Sequence, residues 1–303
     1  MILGEHTTNP LGPTERMVIN LPELPEVETI RTQLTDKLIG RKIMSVDVRL
    51  AKIWEGSRDQ VLGAKIIDVQ RRAKIIILKL DNGFNLVIHL KMTGQLVYGE
   101  NRAETISFRE GIPFAGFSLP AKTTHVILTL DKGKLFFNDL RQFGWMRVMT
   151  NQELRSKNQE FGPEALSEEF SQNYLQDICS KWGRPIKLLL MEQSKIAGIG
   201  NIYANEALWC AEISPMKRAR ELDVKQITKL HACIQEVLEK GLKYGGSSAA
   251  DEAFVNVLGE KGHMQEHFKV YQKQKTSCPR CGATITMSRI GGRGTFFCPK
   301  CQK

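Results

Sequence analysis

Cys278, Cys281, Cys298 and Cys301 follow the spacing C-x2-C-x16-C-x2-C. Each C-x2-C pair can turn two thiolates toward one ion, and two such pairs suit a tetrahedral four-sulfur zinc site. The stretch between the pairs is long enough for a β-hairpin, and one structural Zn2+ would fold a segment too short to build its own core. Four thiolates leave no open coordination position, so the metal is expected to hold structure and not to catalyse. Two disulfides would satisfy the same spacing, but nothing in the chain marks it as secreted. The cysteines lie in a basic stretch: Lys261 to Lys303 carries nine Lys or Arg and one acidic residue, Glu266. That excess attracts a polyanion such as a phosphate backbone. A merely solvated basic tail is the alternative.

The 303 residues suffice for two compact domains plus a small module. A net charge of +10 fits a partner of opposite sign. No apolar run approaches the ~18 residues of a membrane span, and Met1 to Asn20 lacks the layout of a signal peptide. The chain is therefore expected to be cytoplasmic and free of membrane. Cys179, Cys210 and Cys233 sit in apolar helical patterns and are expected as reduced thiols packed in the core.

Residues 1–20 show no periodicity and read as disordered. Leu24, Val27, Ile30, Leu34 and Leu38 then recur at helical spacing, and Gly40 stops the pattern. Strand-like runs follow over Lys42–Leu50, Lys65–Val69, Ala73–Leu80, Phe84–Leu90, His125–Leu130 and Lys134–Asn138, several separated by Asp-x-Gly turns. One helix before many antiparallel strands predicts a β-sandwich with a leading helix. After Thr150 the pattern turns helical, best over Phe170–Lys181, Pro185–Gln193, Asn201–Ala211 and Val224–Tyr244.

Three stretches now converge. Pro22-Glu-Leu-Pro-Glu-Val-Glu-Thr-Ile-Arg31 opens the first helix, Gly198-Ile-Gly-Asn-Ile-Tyr-Ala-Asn-Glu206 spans a helix junction, and Arg293-Gly-Thr-Phe-Phe-Cys298 lies in the zinc segment. Together, in this order, they resemble formamidopyrimidine-DNA glycosylase, a bifunctional base-excision repair family whose architecture is shared with endonuclease VIII. The resemblance runs from Pro22 to Lys303. It implies an α+β multidomain chain: an extension over 1–21, an N-terminal helix plus antiparallel β-sandwich over 22–150, a helical helix–two-turns–helix domain over 151–269, and a C-terminal zinc-finger β-hairpin over 270–303. The implied partner is double-stranded DNA containing oxidised bases, bound by a monomeric bacterial enzyme working at the nucleoid. The implied reaction removes oxidised purines and nicks the abasic site by β,δ-elimination.

The resemblance places the nucleophile on Pro22. A free α-amine titrates near ~8, against ~10.4 for lysine, so more of it is neutral near pH 7. Attack of a secondary amine on the sugar C1′ displaces the base and leaves an iminium that serves as an electron sink. Glu23 matches the family's proton carrier; read alone, it is a first-turn carboxylate favoured by the helix dipole. Lys74 matches a lysine that contacts DNA near the lesion, and His89 a residue near the same phosphates. Met92, Arg141 and Phe143 match the side chains that fill the space left by an extruded base. Asn201, Tyr271 and Arg293 match phosphate ligands, Arg293 also being linked to the second elimination, and Lys187 is a plausible further contact. Gly198 and Gly200 would let the backbone approach a phosphate. Gly259-Glu-Lys-Gly262 resembles the mobile loop that closes over 8-oxoguanine.

The chain departs from the family in four places. Pro22 is preceded by 21 residues, and a proline inside a chain is an amide without a basic nitrogen. Leu21 stands where the family has its initiator methionine. A TTG or CTG start codon there, followed by methionine removal, would free Pro22, and proteolytic trimming is a second route. A non-catalytic DNA-binding protein with Pro22 blocked is the rival expectation. A zinc protein reading undamaged sequence is a third, which leaves the first helix unexplained. Thr123 replaces a DNA-touching histidine, with His125 expected to keep the strand's fold. Gln142 replaces a usually basic neighbour of Arg141. Gln272-Lys-Gln-Lys-Thr-Ser277 replaces a glycine-rich linker before the first zinc cysteine.

Overall fold

The computed structural model describes residues 22–248 and 254–303. The extension over 1–21, with the alternative start at Leu21, lies outside the described residues. The first helix, α1 (Leu24–Leu38), forms where the periodicity predicts it. Val27, Ile30, Leu34 and Leu38 bury one stripe against the strands that follow, whereas Leu24, one turn earlier, belongs to the core of the helical half. The helix therefore joins two cores, and its N-terminus lies at their junction.

The strands follow as β1 (Ile43–Val48), β2 (Trp54–Glu55), β3 (Ile66–Arg72), β4 (Ile75–Leu80), β5 (Phe84–His89), β6 (Gly94–Gly99), β7 (Ile106–Ile112), β8 (Gly116–Leu119), β9 (Thr124–Leu130), β10 (Lys134–Asp139) and β11 (Trp145–Thr150). They make a four-stranded sheet in the order β1-β9-β10-β6 and a five-stranded sheet in the order β2-β11-β5-β4-β3. Pairing is antiparallel except for the short parallel contact of β11 with β2. Leu86, Ile88, Leu96, Leu128 and Phe137 fill the space between the sheets. The expected sandwich is present, and β2, β6, β7, β8 and β11 are strands that the sequence patterns did not single out. β7 and β8 form a separate hairpin, whose Ile106, Ile112 and Leu119 pack on Val97, Ile127 and Phe136 of the first sheet.

The helical half contains α2 (Asn151–Asn158), α3 (Gln172–Ser180), α4 (Ile186–Leu190), α5 (Asn201–Ala211) and α6 (Val224–Lys243). Of these, α2 is additional to the expected segments; Thr150 and Glu153 start it as a reciprocal capping box. The chain closes with β12 (Thr286–Ile290) and β13 (Arg293–Phe297), an antiparallel pair. Its buried Ile285 and Phe296 join the helical core. Where the family has a glycine-rich linker, Gln272 and Lys275 take left-handed φ values of 56° and 70°. These are conformations that glycine adopts freely and that cost a side-chain-bearing residue backbone strain.

One cysteine expectation is corrected. Cys210 and Cys233 are not reduced thiols but a disulfide joining α5 to α6, with Cα atoms 5.8 Å apart. Packing of the two helices brings together residues 23 apart in sequence, a separation that matches no local spacing rule. Cys179 is a buried free thiol, as expected, and burial pushes it up to about 12.

Two side-chain networks tie the halves together. Arg71 bridges Glu28 of α1 (2.7 Å) and Glu164 (2.6 Å), and Arg72 reaches the same Glu164 at 3.0 Å. Glu164 also accepts the Ala73 N–H, so the turn that presents Lys74 is held from both sides. The zinc segment is held from α5, where Asn205 Oδ1 accepts Phe296 N–H at 2.9 Å and Glu206 accepts the N–H groups of Lys269, Val270 and Tyr271.

Candidate active site

Glu23 caps α5 from another part of the chain. Its Oε2 accepts Gly200 N–H at 2.7 Å and its Oε1 accepts Ile202 N–H at 2.7 Å, while Tyr203 N lies 3.4 Å from Oε2. These are unpaired donors of a helix N-terminus, where the dipole favours negative charge. Gly200 is needed here for space: a Cβ at this position would lie 2.4 Å from Glu23 Cδ. Gly198 has φ +94°, and its carbonyl accepts Leu24 N–H at 3.0 Å. Gln193 holds the same turn, taking Gly198 N–H and donating to Ile199 O at 2.7 Å. The two glycines thus seat the start of α1.

Glu26, one turn along α1, is equally buried. It accepts Glu23 N–H, the Tyr203 hydroxyl and Ser247 N–H, each at 2.8 Å. Burial, reinforced by the neighbouring Glu23, raises Glu26 to about 7. Burial also raises Glu23, opposed by the Lys74 charge and the α5 N–H groups. Lys74 donates to Ile199 O at 2.8 Å. Burial holds it below the ordinary lysine range despite Glu23 and Glu26, with Arg293 pushing in the same direction as burial. The charges of Pro22's neighbour, Lys74 and Arg293 therefore sense one another in a single cluster. Sequence patterns did not single out Glu26, Tyr203 or Gln193; only the Glu23-x-x-Glu26 spacing hinted at a capping partner.

His89 ends β5 half-buried, its Nδ1 accepting Lys91 N–H at 2.9 Å. Burial, then Lys91 and Lys74, push it down to about 3, so it is a neutral imidazole near neutral pH. Met92 is half-buried in the next turn. Arg141 and Phe143 are exposed on the β10–β11 loop, the guanidinium 5.0 Å from the ring centroid. Buried Asp139 organises this loop by accepting the Thr93 hydroxyl, Arg141 N–H and, at 2.7 Å, Gly144 N–H. Because Thr93 adjoins Met92, the same carboxylate brings Met92, Arg141 and Phe143 to one edge. His125 Nε2–H donates to Asp139 O, 2.7 Å away, a structural contact within the sandwich.

Asn201 starts α5, with Nδ2 donating to the Tyr271 hydroxyl at 3.4 Å. Arg293 is exposed at the first position of β13. Lys187 is different. The sequence makes it a further phosphate contact, but it is 0% exposed, with Nζ donating to Gly294 O at 2.9 Å and Thr295 Oγ1 at 2.7 Å. The helix α4 underlies the hairpin, as Leu188 lies where a Cβ on Gly291 would fall. In this state Lys187 braces the strand that carries Arg293; burial lowers its ammonium to about 7. The Gly259–Gly262 stretch is pinned, not loose. Asn256 ties Leu258 and Glu260, and Val257 bonds to Gln33 of α1 and to Tyr98 of β6.

The four C-terminal cysteines meet the demands of a zinc site. Their sulfurs all lie within 4.8 Å of one another, with Cys278–Cys301 at 3.9 Å and Cys281–Cys298 at 3.5 Å. Tetrahedral Zn–S bonds of about 2.3 Å require sulfurs roughly 3.8 Å apart. No disulfide joins these four, which removes the competing reading of the spacing.

Comparison with known proteins agrees with this arrangement. Residues 21–146 match the formamidopyrimidine-DNA glycosylase N-terminal domain, residues 161–253 its H2TH domain, and residues 278–303 a zinc finger found in FPG and IleRS. The Formamidopyrimidine-DNA glycosylase of Pelotomaculum thermopropionicum is 38% identical over 93% of this chain and 99% of its own length. A complex of Lactococcus lactis Fpg with abasic-site DNA superposes with a TM-score of 0.82 at 33% identity, covering 93% of this chain and 99% of that one. A variant of the same Lactococcus lactis protein bound to Fapy-dG DNA gives 0.82 at 34% identity, covering 93% of this chain and 100% of that one.

Two measurements test the site. Gly200→Ala drives a methyl into the Glu23 carboxyl and should lower base excision about 100-fold while the fold persists; an unchanged rate would separate the Glu23 seat from catalysis. Glu26 has a folded-state pKa of about 7, above the ordinary 4.5. Folding therefore takes up a proton between those values. Its stability contribution is full below pH 4.5, falls as pH rises to 7, and levels off above. The loss is roughly 3 kcal/mol. Denaturation midpoints of Glu26→Gln across this window should lack that fall, and a slope equal to the parent's would reassign the proton.

Proposed function

The chain belongs to the formamidopyrimidine-DNA glycosylase family, and from that premise we propose that it excises 8-oxoguanine and formamidopyrimidines from double-stranded DNA and nicks the abasic product. The observation that carries the reading is the Glu23 carboxylate clamped at 2.7 Å on two α5 amides, immediately after Pro22. The clamp supports the reading because Pro22, the proposed bearer of the nucleophilic amine, adjoins it where the sandwich meets the helices.

In the proposed reaction the neutral Pro22 nitrogen attacks C1′ of the flipped nucleotide. The glycosidic bond breaks, and its electron pair leaves with the base, which takes a proton. Burial favours a protonated Glu23, which suits it as that donor. The Pro22 nitrogen then gives up its own proton, and its lone pair closes the iminium as the C1′–O4′ bond breaks, that electron pair staying on O4′, which takes a proton. The iminium acidifies C2′, so proton removal there expels the 3′ phosphate, and a second elimination expels the 5′ phosphate. Lys74, Arg293 and Asn201 are the proposed partners of the phosphates being gripped or released. His89, held neutral, is a hydrogen-bonding contact and not a cation. Met92, Arg141 and Phe143 fill the gap of the extruded base. Tyr271 supports Asn201 from beneath, and Lys187 is a positioning residue for Arg293.

Catalysis stands on the 22–150 portion, DNA grip on 151–269 and on the zinc finger over 270–303, with one structural Zn2+ at Cys278, Cys281, Cys298 and Cys301. The protein acts as a monomer, and a bacterial cytoplasmic setting is part of the same proposal. No helix among the described residues is long and apolar enough to cross a membrane. Pro22 must become N-terminal for the chemistry to run, because an amide nitrogen cannot form the iminium. With Pro22 blocked, the same scaffold is a non-catalytic DNA-binding protein.

Borohydride reduction in the presence of 8-oxoguanine duplex tests this. Protein beginning at Pro22 should give a covalent adduct and a nicked strand, and the 303-residue chain should give neither. Equal trapping by both forms would remove Pro22 from the mechanism. No excision by either would leave the binding-protein reading.

A further inference from the structure

The β7–β8 hairpin is not used by the mechanism above, yet its tip carries an unusual residue. Pro113 and Phe114 form a tight turn closed by Ala115 N–H donating to Ile112 O at 3.0 Å. Phe114 takes φ 64°, a left-handed conformation that such turns normally give to glycine or asparagine and that is an outlier for an aromatic. Phe114 nevertheless remains 46% exposed, so burial offsets only part of that strain. Phe117, across the hairpin against Gly111, is 66% exposed, the most exposed large hydrophobic among the described residues. The hairpin's inward face already supplies its anchorage through Ile106, Ile112 and Leu119. Strained, solvent-facing side chains that do not stabilise the fold point to a contact made outside it.

The hairpin tip is continuous with the edge assigned to base extrusion. Phe114 O accepts the Thr123 hydroxyl at 3.1 Å. Thr123 O in turn accepts Asp139 N–H at 2.8 Å, and Asp139 is the carboxylate that sets the Arg141–Phe143 loop. Pro113 O accepts Gln95 Nε2 at 3.2 Å, two residues beyond Thr93 on the strand that follows Met92. Two hydrogen-bonded steps therefore connect Phe114 to the loop carrying the wedge, and exposed Lys122 lies beside Thr123.

We infer that the β7–β8 hairpin is an additional DNA-contacting element, with Phe114 and Phe117 as apolar contacts to bases and sugars of the duplex flanking the lesion. The inference rests on the glycosylase reading, because that reading makes the Arg141–Phe143 edge face DNA. Aromatic rings serve such contacts through their faces, independently of sequence and with little dependence on salt. The hairpin would thus lengthen the footprint on the side of Thr123, where the chain lacks the family's histidine.

The test uses the full 303-residue chain, whose binding to DNA does not require the amine, and a duplex bearing a non-cleavable abasic-site analogue. Phe114→Gly with Phe117→Ser should weaken binding about tenfold, with an unchanged slope of affinity against salt. Phe114→Gly alone relieves the left-handed backbone, so it should melt no lower than the parent and still bind less tightly; it keeps the test decisive if the double variant folds poorly. Affinities within twofold of the parent for Phe114→Gly and any folded double variant would overturn the inference while leaving the glycosylase reading intact. A parent chain that does not bind the duplex would overturn both.

Discussion

A carboxylate from one half of the protein closes the open end of a helix in the other. Glu23 supplies what the first amides of α5 lack, and α5 supplies the hydrogen bonds that let a carboxyl be buried at all. Remove either partner and a buried polar group is left unsatisfied, which costs more than the bond itself contributes. Gly200 makes the seat possible by having no side chain, and Gln193 keeps the turn before it in shape. Because α1 contributes Leu24 to one core and Val27 to the other, this contact, together with the Arg71 bridge from Glu28 to Glu164, sets how the sandwich and the helices meet.

Burial then does chemical work on the groups gathered there. Glu23 and Glu26 are pushed toward their protonated forms, and Lys74 and Lys187 toward their neutral forms. Of these, Glu26 and Lys187 are brought to about 7, where a group can both give and accept a proton. The zinc hairpin is part of the same assembly despite its distance in sequence. Asn205 and Lys187 hold β13 from beneath, so the strand that begins at Arg293 is braced by the helices.

The readable and the hidden parts of this architecture divide along physical lines. Zinc spacing was legible because four ligands to one ion obey a local rule. Helices α1 and α6 were legible because their apolar stripes and boundaries are local too, and α5, buried on every side over Asn201–Leu208, because the Gly198–Gly200 turn marks its start. Strands β6 and β11 escaped notice because they lie among residues whose burial depends on the second sheet, and β7–β8 because its pairing is broken by an irregular stretch. For Glu23 the sequence offered only a first-turn carboxylate; its partner lies 177 residues away. Lys187 read as a further phosphate contact because no local sign shows that the hairpin folds over it. The Cys210–Cys233 disulfide was hidden for the same reason. What long-range packing decides, composition and spacing do not carry.

The central claim is that the covalent bond to DNA forms at the Pro22 nitrogen, in the pocket that Glu23 and α5 build. Protein beginning at Pro22 can be reduced onto 8-oxoguanine DNA, digested with nuclease and protease, and its adduct located by tandem mass spectrometry. The account predicts the deoxyribose remnant on the α-nitrogen of Pro22 and on no lysine. A remnant on Lys74, or on any other side chain in place of Pro22, would contradict it.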